Sequence, residues 1–214
     1  MSGPTRGARP SIRDPRIAAI VLAGGRASRL GQPKPWAIVG GETLLSRALR
    51  AVGESRTAVI GPPELEGIVT RWANASLARE SPPFGGPVAA IAAGCALLDT
   101  SGPGAEWLIL LSCDLPRASE AVQALVETVP GLSDNEAGAC LIVDDRPQWL
   151  CGIYRAQAVH AAIERLLRAG GVDSVPVRAL LGPLTLRRID GVADIAFDID
   201  TPADLFAANE WISR

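Results

Sequence analysis

An apolar run, Ile17-Ala18-Ala19-Ile20-Val21, opens directly into Leu22-Ala23-Gly24-Gly25-Arg26-Ala27-Ser28-Arg29-Leu30-Gly31-Gln32-Pro33-Lys34. The pattern is a strand that ends in a glycine-rich loop. Adjacent Gly24 and Gly25 permit positive φ and close approach of the backbone to a ligand, and Arg29 and Lys34 bring two positive charges to the same loop. Such a loop suits phosphate, and the ligand expected from it is a nucleoside triphosphate. A plain strand-to-helix turn with surface Arg and Lys is the competing reading.

Spacing excludes the two commoner glycine-rich loops. A Walker A loop needs Lys directly after its last Gly and then Ser or Thr, whereas Gly31 is followed by Gln32-Pro33-Lys34-Pro35. The dinucleotide fingerprint needs three glycines in Gly-x-Gly-x-x-Gly spacing, which the loop does not supply.

A chain of 214 residues is long for one domain, but α/β folds of this size form around one sheet. Residues 1–16, with Arg6, Arg9, Arg13 and Arg16 among Gly, Pro and Ser, read as a disordered leader without the apolar core of a signal peptide, and 17–214 as a single domain. The net charge of -2 argues against nucleic acid as the main partner. Cys95, Cys113, Cys140 and Cys151 have no Cys-x-x-Cys spacing, and the single His160 cannot complete a zinc set, so buried reduced thiols in a cytoplasmic protein are expected. No run of about 18 uncharged apolar residues is present, so no membrane span is expected.

Short β-rich runs at Ile17-Ala23, Thr57-Ile60, Trp107-Ser112, Ala137-Val143 and Leu150-Tyr154 alternate with helix-like segments. Helices are expected at Thr43-Val52, Pro87-Leu98, Ala118-Val129, Gln157-Leu167 and Pro202-Ile212, with Thr43 and Thr201 as candidate caps. The alternation implies an α/β fold with a mostly parallel sheet covered on both faces, whose ligand sits beyond the carboxyl ends of the strands. Two acids follow apolar runs there, in Ser112-Cys113-Asp114-Leu115-Pro116 and Phe197-Asp198-Ile199-Asp200-Thr201-Pro202.

A triphosphate carries about four negative charges, which Arg29 and Lys34 do not balance, so a divalent cation is expected. Magnesium takes oxygen ligands, usually one or two carboxylates together with phosphates and waters. Asp114 and Asp200 are the candidate metal ligands. A cap or turn role stays open for both, and Asp198 is an alternative to Asp200.

The run Leu-Ala-Gly-Gly-x-x-x-Arg-x-Gly-x-x-Lys resembles the signature of nucleotidyltransferases, and further landmarks extend the likeness over most of the chain. Gly85-Gly86-Pro87-Val88-Ala89-Ala90-Ile91, Cys113-Asp114-Leu115-Pro116 and Leu150-Cys151-Gly152-Ile153-Tyr154 follow in the order found in the molybdenum cofactor guanylyltransferase family. The resemblance implies a nucleotide-diphospho-sugar transferase-like fold, a Rossmann-like three-layer α/β/α sandwich. It also implies transfer of GMP from GTP to the phosphate of molybdopterin, with pyrophosphate released and a molybdoenzyme or its chaperone receiving the product. Carried over by position, Leu22, Ala23, Gly24, Gly25 and Gly86 would contact nucleotide, Lys34 the phosphates, and Asp114 both magnesium and GTP. Arg29 and Lys34 would neutralise the departing pyrophosphate. Glu80 stands where the family usually carries a nucleotide-contacting Asp.

Some residues point elsewhere. Gln32-Pro33-Lys34 and Asp198-Ile199-Asp200-Thr201-Pro202 are similar to relatives that attach CMP, so a cytidylyltransferase remains the alternative, beside a sugar-nucleotidyltransferase and a non-catalytic nucleotide-binding partner. Arg155 and Arg178 are candidates for the substrate phosphate, and Trp36 and Trp149 for stacking on a pterin. His160 is expected on a helix surface, without a catalytic role.

Overall fold

The computed structural model describes residues 14–25, 29–102, 104–190 and 193–212. Most of the expected leader, residues 1–13, therefore lies outside the described residues, as do Arg26, Ala27 and Ser28 of the loop. The strands are β1 (Ile17–Leu22), β2 (Ile38–Val39), β3 (Glu42–Thr43), β4 (Arg56–Ile60), β5 (Ala75–Ala78), β6 (Trp107–Ser112), β7 (Gly138–Val143), β8 (Arg146–Arg155) and β9 (Leu186–Ile189). The helices are α1 (Leu44–Val52), α2 (Glu66–Val69), α3 (Gly86–Thr100), α4 (Ala118–Thr128), α5 (Ala156–Arg168), α6 (Val177–Leu181) and α7 (Pro202–Ile212).

Seven strands form one sheet in the order β5-β4-β1-β6-β8-β7-β9. β8 runs antiparallel to both its neighbours, β6 and β7, and the other neighbouring strands pair in parallel. The period-two alternation of β1 shows how the layers are glued. Ile17, Ala19 and Val21 pack with Leu45 and Leu49 of α1 and Val122 and Leu125 of α4. Ala18, Ile20 and Leu22 face the other way, onto Ile91 and Cys95 of α3 and Val159 and Ile163 of α5. Burying a strand on both faces leaves it almost continuously apolar, which is why the run was legible. Gly94 brings α3 close, since a Cβ there would lie 2.7 Å from Ile20 Cγ2. All four cysteines are buried free thiols.

The five expected helices form, and Thr43 caps α1 by accepting a hydrogen bond from the Ser46 N–H at 3.2 Å. α7 starts with a reciprocal cap: the Asp204 N–H donates to Thr201 Oγ1, and the Thr201 N–H donates to Asp204 Oδ2 at 2.7 Å. Besides the short β2–β3 hairpin, two strands escape the sequence pattern, and both lie at the edges of the seven-stranded sheet. β5 reads Ala-Ser-Leu-Ala, and β9 carries Arg187 and Arg188 in the middle, so neither shows the apolar run of a central strand. β8 is longer than Leu150-Tyr154 and irregular. Cys140 opposes Gly152 while Leu141 opposes Gln148, so 149–151 have no counterpart on β7 and form a bulge. The Tyr154 hydroxyl donates to the Trp149 carbonyl at 2.8 Å across the bulge.

A smaller apolar cluster lies apart from the two main ones. Leu30, Ala37, Val39, Leu44, Ile199 and Ala208 pack together, joining the glycine-rich loop, the β2–β3 hairpin and the C-terminal segment. Asn209 of α7 clips that hairpin, its Oδ1 accepting from the Gly40 N–H and its Nδ2 donating to the Ile38 carbonyl. This cluster brings residues about 170 positions apart to one place.

Candidate active site

Three parallel strands end at one level. Leu22 is in register with Ile60 on one side and Ser112 on the other. Beyond that level the Ala23 N–H donates to the Ile60 carbonyl at 2.8 Å and the Cys113 N–H to the Leu22 carbonyl at 3.1 Å. The loops after β1, β4 and β6 therefore diverge from a common ledge at the carboxyl end of the sheet, where α/β folds hold ligands. Gly25 takes φ 117°, the left-handed region open chiefly to glycine, and turns the first loop over that ledge.

Lys34 opens a single 3-10 turn, Lys34–Trp36, that points its ammonium at the ledge. Its Nζ donates to Asp114 Oδ2 at 2.7 Å and to Asp200 Oδ1 at 2.5 Å. Asp114 is placed by the loop after β6. Asp200 is placed by an extended stretch in which Ile199 is fully buried and donates its N–H to the Asp114 carbonyl at 3.0 Å. Alternation about Ile199 sets Asp198 and Asp200 to one side of the chain, toward Asp114. Oxygens of Asp114, Asp198 and Asp200 lie within 4.8 Å of one another. Partial burial works against the charge of Lys34, but the Asp114 and Asp200 carboxylates more than offset it and raise its pKa, so the ammonium stays charged. Desolvation, then the neighbouring Asp114 and Asp200 charges, raise the pKa of Asp198 although solvent reaches it. The cluster holds more negative charge than Lys34 alone answers. An all-oxygen donor set of this size fits a hard divalent cation.

Three contiguous clefts surround the ledge. The first, about 300 Å³, is lined by Gly24, Gly25, Arg29, Lys34, Asp114 and Asp200 among others. The second, about 390 Å³, lies toward α3 and is lined by Ile60, Glu80, Phe84, Gly86, Pro87 and Ala90. The third, about 280 Å³, is lined by Asp114, Gln148, Trp149, Leu150, Val177 and Asp198. Cys113 and Cys151 flank this region, but burial raises both thiols, Cys151 to about 12, so neither offers a thiolate nucleophile.

The structure thus gathers Leu22, Gly24, Gly25, Arg29, Lys34, Glu80, Gly86, Asp114 and Asp200 around adjoining clefts. Ala23 differs: its side chain is buried in the core beside α1, and its N–H is committed to Ile60. Glu80 Oε1 accepts from the Phe84 N–H at 2.9 Å and so shapes the turn it belongs to. Trp149 lines the third cleft, while Trp36 packs against the core under α1 and α4. Arg155 is not brought to the site. It pairs with Trp107 at the opposite end of β6, and its guanidinium lies 4.6 Å from the Trp107 ring centroid. Arg178 is exposed on α6, next to Val177 of the third cleft. His160 is only partly a surface residue, because its Nε2 is buried 3.4 Å from Asp99 Oδ2. Sequence reasoning passed over Phe84, an aromatic residue more than half exposed with φ 67° on the rim of the second cleft. Its position directly before Gly85-Gly86 was the available signal.

The sequence profile of the MobA-like NTP transferase domain matches residues 19–184. A molybdenum cofactor guanylyltransferase from Rhizobium rhizogenes is 27% identical over 224 residues, covering 94% of this chain and 95% of that protein. A probable molybdenum cofactor guanylyltransferase from Trichormus variabilis is 30% identical over 207 residues, covering 88% of each. Among solved structures, molybdopterin-guanine dinucleotide biosynthesis protein A from Archaeoglobus fulgidus superposes with a TM-score of 0.66 at 21% identity, over 92% of this chain and 98% of that one. The 2-C-methyl-D-erythritol 4-phosphate cytidylyltransferase from Thermus thermophilus gives 0.65 at 19% identity, over 92% and 98%. At these identities the structural neighbours speak for the fold alone.

Proposed function

We propose a reaction for this chain, which belongs to the MobA-like NTP transferase family: transfer of GMP from GTP to the phosphate of molybdopterin, with release of pyrophosphate. The observation that carries the reading is the cluster of Asp114, Asp198 and Asp200 around Lys34, set beyond the strand ends between the first and third clefts. The nucleoside would lie in the second cleft. There the Glu80 carboxylate can accept from both N–H groups on one edge of guanine, whereas cytosine offers only its amino group. The triphosphate would run through the first cleft past Gly24, Gly25, Arg29 and Lys34. The acceptor would enter by the third, where Trp149 offers a flat face.

Asp114 and Asp200 would hold a magnesium ion, which supplies neutralisation of the reacting phosphates when bound. Arg29 and the Lys34 ammonium would orient the β- and γ-phosphates and offset charge that grows on departing pyrophosphate. The acceptor phosphate then attacks the α-phosphorus in line, and positioning with electrostatic stabilisation does the work. Burial raises the Cys113 thiol of the first cleft, so it offers no thiolate there, in keeping with direct transfer. Such a protein would work in the cytoplasm. Among the described residues no helix is long and apolar enough to cross a membrane.

The test is calorimetric titration with GTP, CTP, UTP and ATP, each with magnesium, followed by pyrophosphate release once molybdopterin is added. A preference for GTP with release is the expected result. A preference for CTP replaces the reading with cytidylyl transfer, and GTP binding without release makes the protein a nucleotide-binding partner. Binding of no nucleotide, with and without the pterin, overturns the site.

A further inference from the structure

The three clefts share walls in a definite pattern. Leu22, Gly24 and Gly25 line the first and second, Leu150 the second and third, and Asp114 the first and third. Among the described residues only Ser112 lines all three. In nucleotidyl transfer the nucleoside, the pyrophosphate and the incoming acceptor oxygen have one atom in common, the α-phosphorus. If each fragment occupies its own cleft, that atom must sit where the three meet.

The strand explains why a serine can serve there. Along β6, Leu111 and, just beyond it, Cys113 face the core under α1 and α4, whereas Leu108 and Leu110 face α3. Ser112 continues the second series by parity, one step past the last apolar residue, at the half-exposed strand end. Its backbone is held by the β1 pairing and by the Cys113 N–H to Leu22 carbonyl bond. A side chain with a single heavy-atom rotor on a fixed strand loses little entropy when its hydroxyl is aimed.

Resting on the nucleotidyl-transfer reading, we propose that Ser112 is a catalytic residue whose hydroxyl donates a hydrogen bond to a non-bridging oxygen of the α-phosphate. The bond fixes the phosphorus between acceptor and leaving group and strengthens in the transition state. A bond forms from the acceptor phosphate oxygen to the α-phosphorus while the bond from that phosphorus to pyrophosphate breaks, and the leaving group takes the electron pair. Ser112 keeps its proton throughout.

The experiment is Ser112→Ala in the full chain, with turnover, GTP affinity in magnesium and melting midpoint measured beside the wild type. Turnover is expected to fall on the order of 10²-fold, as for loss of one preorganised donor, with affinity and melting little changed. GTP carrying sulfur at one non-bridging α-oxygen, tested as separate diastereomers, gives a readout that a merely structural serine would not move. For one diastereomer the Ser112→Ala loss should shrink, because the bonded oxygen is already replaced. Turnover within about twofold of wild type overturns the proposal, as does a loss matched by weaker GTP binding. An equal loss for both diastereomers also overturns it. A wild-type protein that releases no pyrophosphate instead sinks the reading beneath it, so the two failures are distinguishable.

Discussion

The two ends of the sheet are built from similar materials and differ in how charge is settled. At the carboxyl end of the parallel strands, a cleft of about 300 Å³ holds Asp114 and Asp200 against Lys34, with Asp198 beside them and Arg29 on the wall. At the other end a cavity also of about 300 Å³ is lined by Arg56, Cys95, Asp99 and His160. There the charges are answered from within the fold. Arg56 donates to the Leu98 carbonyl at 3.0 Å near the end of α3, His160 lies against Asp99, and at the same end of the sheet, toward its β9 edge, Arg187 pairs with Glu136 at 2.6 Å. Volume does not separate the two ends. What separates them is the negative charge that remains at the first after its partners among the described residues are counted, and a folded chain keeps such a surplus only at a cost that a ligand can repay.

The sharpest way to break this contrast is Asp114→Ala, which removes the carboxylate shared by the first and third clefts. Turnover should drop by at least on the order of 10²-fold, with the fold retained by circular dichroism. Near-normal pyrophosphate release would mean that the surplus charge serves packing alone. Lys34→Ala ranks next. It removes the one ammonium that the carboxylates hold and should weaken GTP binding on the order of 10-fold, measured by calorimetry in magnesium. Lys34→Arg should restore only part of it, since a planar guanidinium cannot bond as a compact point charge between two carboxylates. Full affinity in both variants would remove Lys34 from the phosphate path.

The same contrast explains how much was legible beforehand. The strands buried on both faces, β1 and β6, announced themselves as unbroken apolar runs, and with them came their exits, Gly24-Gly25 and Asp114. Lys34 and Asp200 could be named as types in a pattern, but not as partners, because a cluster of six buried apolar residues far apart in sequence decides that they touch. The edge strands β5 and β9 stayed hidden since half-exposed edges tolerate Ala, Ser and Arg. Arg155 was misread as a substrate ligand because it follows an apolar strand. β8 is the reversed strand, so its last residue emerges at the far end, and no local pattern distinguishes a reversed strand from a parallel one.

At that far end, charge should matter through stability and pH instead of turnover. Hydrogen bonds from the Ser133 N–H and hydroxyl, joined by Arg187, hold the Glu136 carboxyl well below its usual 4.5, at about 2. The folded protein therefore binds that proton less tightly than the unfolded chain. The stabilisation is present above about 4.5 and is lost as pH falls toward about 2. Glu136→Gln should lower the urea midpoint at pH 7, and its deficit should shrink across that acid window, while GTP affinity at pH 7 stays at the wild-type value. A deficit that is constant with pH would assign Glu136 a role in packing only.

The smallest effect is expected where the sequence contains its only histidine. His160 Nε2 and Asp99 Oδ2, 3.4 Å apart, link α5 to the last turns of α3. Both side chains are more than one third exposed, a setting in which ion pairs contribute about 1 kcal/mol or less. His160→Ala and Asp99→Asn should each leave pyrophosphate release and GTP affinity unchanged and move the melting midpoint by only a few degrees. These variants probe the contrast from the side that chemistry should ignore. α3 is a covalent route between the ends that they could perturb, because Gly86 and Pro87 at its start line the second cleft and Asp99 lies near its finish. A selective loss of GTP affinity in either variant, with melting preserved, would therefore show that the helix transmits displacement along its length. The far cavity would then belong to the working site.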